Sequence, residues 1–253
     1  MKLKLITVDF WNTLFDSSNG INRNSARQHV FAGEIAKLDV KVSQEEFQNA
    51  IQASWEFFNN IWMNKQRTPA CYETIEYLWN YLKLPNKPEA IQEVAKSFAE
   101  SILAHPPKPM DGALETLTIL KKEGYKIGLI SDTGFTPGSI LKQVMADANL
   151  LDLFDSFSFS DETGVSKPNQ KAYLKILGQY NFSPELALHI GDIEKTDVVG
   201  AKSLGMKAIR FNGDETAVLN KENPKVTAAD AEIFHWSEFI SKLKEIESFN
   251  KVN

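Results

Sequence analysis

Carboxylates follow two strand-like runs of this chain, and they could act as nucleophiles or bind a metal ion. Asp9 ends the apolar run 5–8, and Asp192 follows Gly191 at the end of the run 186–190. Such runs predict buried parallel strands, whose carboxyl ends lie at the edge of the sheet where α/β proteins place their chemistry. A carboxylate there can attack an electrophile, and carboxylate oxygens are ligands that Mg²⁺ prefers.

Other polar residues lie where predicted strands end. They are Ser131 with Asp132, Lys167, and Asp197, which comes five residues after the second carboxylate. A serine hydroxyl can donate a hydrogen bond to a phosphoryl oxygen, and a lysine can neutralise its charge. Each also has an ordinary explanation on its own: Ser131 as a turn residue, Lys167 as a solvated surface lysine, and Asp197 as a partner of a helix dipole.

The segments that must position these residues alternate between strand-like and helix-like patterns. We predict strands over residues 5–8, 125–130, 157–159, 186–190 and 206–211. We predict helices between them over residues 114–123, 139–148, 170–180 and 196–204. This alternation predicts repeated βα units and a parallel sheet, which is an α/β fold.

Residues 17–107 follow a different pattern, because strand-like runs disappear and apolar residues recur at helical spacing. Ser43-Gln44-Glu45-Glu46 fits a capping box that opens a helix, and apolar stripes cover residues 47–62, 72–82 and 91–102. The segment is too long for a connecting loop, so we predict an all-α subdomain inserted after the first strand. Its aromatic stripes could line a ligand pocket, but we expect them to pack in a core.

Composition excludes several classes of function. The chain has 253 residues and a net charge of −5 with scattered Lys and Arg, so nucleic acid is not an expected partner. Its one cysteine, Cys71, excludes an internal disulfide. We find no apolar stretch long enough for a membrane span or a signal peptide, so we expect a cytoplasmic protein without a membrane partner. The sequence leaves the oligomeric state undetermined.

These motifs, in this order, resemble those of the haloacid dehalogenase superfamily of hydrolases. The resemblance covers nearly the whole chain and includes Gly164-Val165-Ser166-Lys167-Pro168 and the stretch from Gly191 to Asp197. It implies a Rossmann-like α/β core of residues 1–16 and 108–253. The helical insertion, residues 17–107, matches the cap that this family places between its first two motifs.

The resemblance also implies catalytic roles. Asp9 would be the nucleophile that attacks phosphorus to give an acyl phosphate, which water then hydrolyses. Ser131, Asp132 and Lys167 would bind the substrate phosphate, and Ser131 and Lys167 would take part in catalysis. The expected partner is therefore a small phosphorylated molecule.

The same resemblance implies a Mg²⁺ site. Asp9, Asp192 and the backbone carbonyl of Trp11 would ligate the ion. Thr13 and Asp197 would support the site from behind these ligands, with Asp197 orienting metal-bound water or the catalytic lysine.

Trp11 departs from the pattern of the family's phosphatases, which is Asp-x-Asp-x-Thr. The second Asp of that motif protonates the leaving oxygen and then deprotonates the hydrolytic water. An indole can donate a hydrogen bond but cannot shuttle a proton, and losing a general acid/base typically costs about 10²–10⁴-fold in rate. Asn12 replaces the usual Gly, and Asn tolerates a left-handed backbone, so the tight turn can persist.

Several hypotheses follow from this departure. The leading one is a Mg²⁺-dependent phosphohydrolase that favours good leaving groups, such as acyl or aryl phosphates. A 2-haloacid dehalogenase is the alternative, because those enzymes carry an aromatic residue at the position of Trp11, although they need no metal and lack the pair Asp192 and Asp197. The chain could also be a weakly active or regulatory phosphate-binding protein. Phosphonatases use a cap lysine, and Lys37, Lys41 and Lys65 lack a distinguishing context.

Cap residues would read the substrate. Arg23, Arg27 and Arg67 could meet an anionic substrate, although we expect each to be an exposed arginine. By family analogy, Pro106-Pro107-Lys108-Pro109 and residues 16–20 would be hinges between cap and core.

Overall fold

The computed structural model describes residues 2–38, 40–215, 217 and 219–249. Strands and helices alternate along most of this part of the chain. The strands are β1 (Leu5–Val8), β2 (Lys126–Ser131), β3 (Ser156–Phe159), β4 (Ala187–Gly191), β5 (Lys207–Phe211) and β6 (Ala231–Ile233). The helices are α1 (Gly20–Ala36), α2 (Gln44–Lys65), α3 (Cys71–Tyr81), α4 (Pro88–Ala104), α5 (Ala113–Lys122), α6 (Gly138–Asp147), α7 (Ser160–Thr163), α8 (Gln170–Tyr180), α9 (Val199–Lys202) and α10 (Phe239–Phe249).

The strands form one parallel sheet in the order β3-β2-β1-β4-β5-β6. β1 lies inside the sheet, where Val8 pairs with Leu129 of β2 and with Ile190 of β4. The carboxyl ends of β1, β2 and β4 therefore lie side by side. The predicted α/β fold with a Rossmann-like parallel sheet is confirmed.

Alternation along β1 explains the two apolar layers around the sheet. Leu5 contributes to a cluster with residues of α8 and α9, whereas Ile6 and Val8 contribute to a cluster with residues of α5, α6 and α10. Successive side chains of a strand point to opposite faces, so a strand covered on both faces is mostly apolar. This is why the run 5–8 is apolar except for Thr7, whose buried hydroxyl lies 2.9 Å from His189 Nδ1.

The predicted strands and helices of the α/β part agree with the structure to within two residues, with one exception. The helix predicted over 196–204 is instead a π-helical turn, Glu194–Val198, followed by the short α9. β6, α1, α7 and α10 were not predicted individually, and β6 is only three residues long and includes Glu232.

The helices α1 to α4 lie between β1 and α5 and share a hydrophobic cluster of their own, which includes Phe31, Trp79 and Phe98. The capping box at the start of α2 is confirmed, because Glu46 N donates to Ser43 Oγ at 3.2 Å and Ser43 N donates to Glu46 Oε2 at 2.8 Å. The division into a cap of residues 17–107 and a core of residues 1–16 and 108–253 stays a prediction.

The two chain segments that join α1–α4 to the rest run side by side. Asp16 N donates to Lys108 O at 2.9 Å, and Lys108 N donates back to Asp16 Oδ1 at 2.8 Å. Asn19 Nδ2 donates to Pro106 O at 2.8 Å. The two predicted hinge segments are therefore hydrogen-bonded to each other. Within the described ranges, we find no helix with both the length and the apolarity that a bilayer span requires.

Candidate active site

The turn after β1 fixes Asp9 at the edge of the sheet. Asp9 N donates to Ile190 O at 2.9 Å, which extends the pairing with β4 by one residue. Asn12 then adopts a left-handed backbone with φ of 54°, as predicted, and Phe15 N closes the turn by donating to Phe10 O at 2.9 Å. The Phe10 ring is buried and stacks on Phe15, with ring centroids 4.6 Å apart. Packing therefore holds the turn that presents the carboxylate.

A second turn, after β4, presents Asp192. Asn223 spans this turn, because its Nδ2 donates to Asp192 O at 2.8 Å while its Oδ1 accepts from Glu194 N at 2.8 Å. Asn12 Nδ2 donates to Asp192 Oδ2 at 3.2 Å. The side chain that replaces the usual Gly thus links the two turns.

Lys167 joins Asp9 to Asp197, which lies in the π-helical turn Glu194–Val198 after β4. Its Nζ lies 2.5 Å from Asp9 Oδ1 and 2.6 Å from Asp197 Oδ1, and all three side chains are buried. Its backbone N donates to Asp132 Oδ1 at 2.9 Å. Hydrogen bonds between charged partners are the stronger kind, so this lysine holds residues from distant parts of the sequence together.

Asp9, Asp192 and Asp197 form an acidic cluster. One carboxylate oxygen of each residue lies within 4.8 Å of those of the other two. Burial raises the pKa of Asp9 to about 7. The positive charge of Lys167 opposes this shift, and the negative charge of Asp197 adds to it. Burial and the charges of Asp9 and Asp197 raise the pKa of Asp192 well above its usual range. Burial also raises the pKa of Asp132 to about 6. One ammonium therefore does not neutralise the cluster.

Asp197 behaves differently from the other two members of the cluster. Burial disfavours its charged form, but Lys167 and His189 outweigh that effect and hold its pKa below the usual range. Burial likewise disfavours the charged lysine, yet Asp197, Asp9 and Asp132 hold the pKa of Lys167 well above its ordinary value. The Lys167–Asp197 pair is therefore ionised, and the uncompensated charge falls on Asp9 and Asp192.

This donor set fits a divalent cation. Both oxygens of Asp197 are already engaged, because Oδ1 lies within hydrogen-bond distance of Lys167 and His189 while Oδ2 accepts from Ile193 N and Thr196 Oγ1 at 3.0 Å. In the described part of the chain, Asp9 Oδ2 and Asp192 Oδ1 have no such partner. Carboxylate oxygens are hard ligands, so a pocket with excess negative charge suits a hard divalent cation.

Two predicted residues have buried hydroxyls that lack a partner. Ser131 ends β2 and Thr13 lies in the turn after β1, and neither hydroxyl has a hydrogen-bond partner among the described residues. A buried hydroxyl without a partner is costly and therefore calls for an explanation.

His189 is a site residue that the sequence analysis missed. Its Nε2 lies 3.0 Å from Asp197 Oδ1, and its Nδ1 lies 2.9 Å from Thr7 Oγ1. Burial lowers the pKa of His189, so the neutral ring donates from Nε2 to Asp197 and accepts at Nδ1 from Thr7. The available signal was a lone histidine inside the apolar strand β4.

A cavity of about 340 Å³ lies over the acidic cluster. Its wall includes the polar side chains Asp9, Asp132, Lys167, Asp192 and Asp197 and the aromatic side chains Trp11, Trp55, Phe58 and Trp62. Six of the predicted site residues therefore line this cavity, and Trp11 is one of the six.

The aromatic stripe of α2 corrects one expectation. Phe47 and Ile51 pack against the cluster of α1–α4, as expected. Trp55, Phe58 and Trp62 instead line the cavity, although Phe58 is also buried. The reason is the length of α2, whose C-terminal half extends over the edge of the sheet. Trp62 Nε1 donates to Asp132 Oδ2 at 2.8 Å, which fixes this ring at the wall.

The three arginines considered above do not line this cavity. Arg23 is buried rather than exposed, and its Nη1 donates to the carbonyls of Ser18 and His105. Arg27 is half-buried, donates to Phe98 O, and has its pKa lowered to about 10 by burial. Arg67 pairs with Glu73. The expectation of exposed side chains is therefore wrong for Arg23 and Arg27, and Arg67 is only partly exposed. Lys167 is the only cation among the cavity-lining residues described.

Comparisons with known proteins agree with this geometry. A family model described as haloacid dehalogenase-like hydrolase matches residues 3–205. The glyceraldehyde 3-phosphate phosphatase of Pyrococcus furiosus is 38% identical over 117 residues, which are 46% of this chain and 47% of the relative. The chain thus spans about half the length of this relative. The protein of the same name from Methanopyrus kandleri is 24% identical over 249 residues, which are 96% of this chain and 98% of the relative.

Among solved structures, the 2-haloacid dehalogenase of Pseudomonas syringae pv. Tomato DC3000 superposes with a TM-score of 0.71. The sequences are 23% identical, and the match covers 96% of this chain and 99% of that chain. At this identity the likeness establishes the shared fold and nothing about the reaction.

Gly191 provides a test of the packing behind the cluster. A Cβ at this position would overlap the carboxylate carbon of Asp197, so Gly191→Ala must displace that side chain. We expect a loss of about 1–3 kcal/mol in the free energy of unfolding, as for other overpacked sites. Urea unfolding measures it. Gly178→Ala in α8 is the matched control, because a Cβ there meets nothing within 4 Å, and equal stability of the two variants would contradict the prediction.

Asp192 provides a test of the uncompensated charge. The raised pKa means that the native state loses stability as pH rises from the ordinary value of 3.8 toward the folded value. Asp192→Asn removes this penalty, so in the presence of a chelator the variant should be more stable than the unmodified protein at pH 8, with a smaller gain at pH 5. Urea unfolding at both pH values checks this, and a gain that shrinks as pH rises would refute it.

Proposed function

This chain belongs to the haloacid dehalogenase-like hydrolase family, and from that premise we propose that it is a Mg²⁺-dependent phosphohydrolase acting on a small phosphorylated molecule. The observation that carries the proposal is the acidic cluster of Asp9, Asp192 and Asp197 around the single ammonium of Lys167. Such a pocket repels an anionic substrate until a divalent cation is bound. Relatives named as phosphatases support the same reaction class.

Asp9 is the proposed nucleophile. Its carboxylate oxygen attacks phosphorus, and a bond from that oxygen to phosphorus forms while the bond from phosphorus to the leaving oxygen breaks. The leaving group departs with the electron pair. Water then attacks the acyl phosphate, which releases inorganic phosphate and restores the Asp9 carboxylate. Lys167 is positioned to hold this side chain ionised and aimed, because its ammonium lies 2.5 Å from Asp9 Oδ1.

Asp9, Asp192 and the backbone carbonyl of Trp11 are the proposed ligands of Mg²⁺, which when bound would neutralise phosphate charge and orient the phosphate for attack. Both carboxylate oxygens of Asp197 already accept hydrogen bonds. We therefore propose that Asp197 orients Lys167 and does not ligate the metal ion. The turn that contains Thr13 is held by Trp236, whose Nε1 donates to Thr13 O at 2.8 Å.

Ser131, Asp132 and Lys167 are the proposed phosphate site. The unpartnered hydroxyl of Ser131 would donate to a phosphoryl oxygen. Asp132 already accepts from Lys167 N and from Trp62 Nε1, so its carboxylate would hold this site together. These contacts bring the phosphate toward Asp9 without an arginine.

Trp11 restricts the leaving groups that we expect in the substrate. It lines the cavity where the family's phosphatases carry a carboxylic acid, and an indole cannot protonate a leaving oxygen. The enzyme should therefore favour substrates whose leaving groups depart as stable anions, such as acyl and aryl phosphates.

A 2-haloacid dehalogenase is the second candidate, and the aromatic residue Trp11 at the cavity wall favours it. Halide leaves without a proton, so this reaction needs no acid. However, a 2-haloacid carries a carboxylate, and Lys167, the only cation in the described wall, is already paired with Asp9 and Asp197. The acidic cluster therefore disfavours this substrate.

The first prediction from the proposed function concerns the metal ion and the nucleophile. Hydrolysis of acetyl phosphate should require Mg²⁺, stop with a chelator, and fall by at least about 10³-fold in Asp9→Asn. Phosphate release measures it, with the exposed Asp111→Asn as control. Chloride release from 2-chloropropionate that persists with a chelator would instead establish the dehalogenase. Mg²⁺-bound protein that hydrolyses neither substrate, and forms no fluoride-mimic adduct at Asp9, would be a binding protein.

The second prediction concerns the missing proton shuttle. Trp11→Asp restores a carboxylate at the acid/base position, so it should raise the rate on alkyl phosphates relative to aryl phosphates by about 10²-fold. The measured quantity is the ratio of the two kcat/KM values, which cancels general losses of activity. Trp11→Asn is the matched control, because it removes the indole without supplying an acid. An unchanged ratio in Trp11→Asp would show that Trp11 does not set the leaving-group preference.

A further inference from the structure

We propose that the substrate is an aryl phosphate, whose aromatic ring packs against Trp11 and the aromatic side chains of α2. This inference rests on the proposed function and adds the class of leaving group that the cavity accepts. Two observations carry it independently: the chemistry of the part of the cavity wall that α2 forms, and the absence of an acid at the position of Trp11.

The part of the cavity wall that α2 forms is mostly aromatic. Trp55, Phe58 and Trp62 of α2 line the cavity together with Trp11. Trp55 is 39% exposed, which is unusual for so large an apolar side chain, and its ring edge contacts Phe58 and Phe135 at centroid distances of 6.2 and 5.2 Å. A planar ring bound here would bury aromatic surface that now faces open space.

This wall is also preorganised. Trp62 is held by its hydrogen bond to Asp132, and its ring lies 6.2 Å from that of Phe58. Because the rings are fixed by contacts that already exist, binding a flat ligand would cost little side-chain entropy. A volume of about 340 Å³ lies at the small end of the range for ligand pockets. It suits a phosphate with a small aromatic group rather than a large conjugate.

Polar groups are divided unevenly between the two ends of the cavity. The carboxylates and Lys167 lie at the sheet edge, whereas Asn59 is the only polar side chain that α2 contributes among the described lining residues. A phosphorylated polyol would leave most of its hydroxyls without partners on this side, and buried polar groups without partners are costly. An aryl phosphate has the matching polarity, with an anionic end and an apolar end.

The leaving group of an aryl phosphate also fits this site. A phenolate is a far better leaving group than an alkoxide, so an aryl ester can be cleaved without the general acid that Trp11 replaces. The same side chain thus removes the proton donor and adds an aromatic surface. Both changes favour aryl over alkyl phosphates.

The experiment separates ring packing from leaving-group ability. Mg²⁺-loaded protein is assayed with phenyl phosphate, with a fluoroalkyl phosphate whose leaving alcohol has a matched pKa, with acetyl phosphate and with glyceraldehyde 3-phosphate. We expect kcat/KM for phenyl phosphate to exceed that for the fluoroalkyl ester by about tenfold, the scale of a well-formed aromatic contact. In Asp9→Asn, phenylphosphonate should likewise bind about tenfold more tightly than methylphosphonate.

Variants of α2 locate the contact. Trp55→Ala should lower the ratio of kcat/KM for phenyl phosphate to that for acetyl phosphate by about five- to tenfold, while Trp55→Phe should keep most of it. Phe57→Ala is the control, because Phe57 lies on the same helix, stacks on Tyr77 at 4.3 Å and is not part of the cavity wall. It should leave the ratio unchanged.

The outcomes distinguish the two proposals. If neither acetyl phosphate nor phenyl phosphate is hydrolysed, the phosphohydrolase proposal fails and the aryl specificity fails with it. If acetyl phosphate is hydrolysed but the fluoroalkyl ester or glyceraldehyde 3-phosphate equals or exceeds phenyl phosphate, only the aryl specificity is wrong. Should Trp55→Ala fail to fold, the substrate comparison in the unmodified protein and the Trp55→Phe ratio still decide.

Discussion

The ammonium of Lys167 among three buried carboxylates is the interaction on which the site depends. It lies within 2.6 Å of both Asp9 and Asp197, which come from the ends of different strands, and Asp192 lies in the same cluster without a cation of its own. Like charges this close and this buried repel strongly, because the surroundings screen them poorly. One lysine can balance only part of that charge. The arrangement therefore fits a divalent cation, which would balance the remaining negative charge.

Much of the surrounding structure serves to hold this unfavourable cluster in place. His189 and the N–H of Ile193 fix the Asp197 carboxylate, Asn223 spans the turn at Asp192, and Gly191 leaves the space that Asp197 occupies. Uncompensated carboxylates would move apart if the backbone allowed it. A buried parallel sheet with short, hydrogen-bonded turns does not allow it, because its strands are packed on both faces.

The aromatic side of the cavity gives the site its second property. The C-terminal half of α2 brings Trp55, Phe58 and Trp62 over the acidic cluster, and Trp11 meets them from the turn after β1. Trp11 therefore affects both the acidic and the aromatic sides of the cavity. It stands where the family's phosphatases carry a proton donor, and its ring adds apolar surface. In the proposed function, the charged side chains and a bound cation would hold the phosphate of the substrate, and the aromatic wall would contact the group attached to it.

The sequence by itself determined the parallel α/β sheet, the capped start of α2 and the gathering of Asp9, Lys167, Asp192 and Asp197. The sheet follows from local apolar runs, and the start of α2 follows from its capping residues. The gathering of the four side chains was implied by the resemblance of their motifs to those of the family. Other features depended on the tertiary structure. The contact of His189 with Asp197, the burial of Arg23, and the division of the α2 stripe between core and cavity all depend on where one element lies relative to another. Helical spacing shows that Trp55 and Trp62 share a face with Phe47, but only the packing of α2 against the sheet edge decides what that face meets.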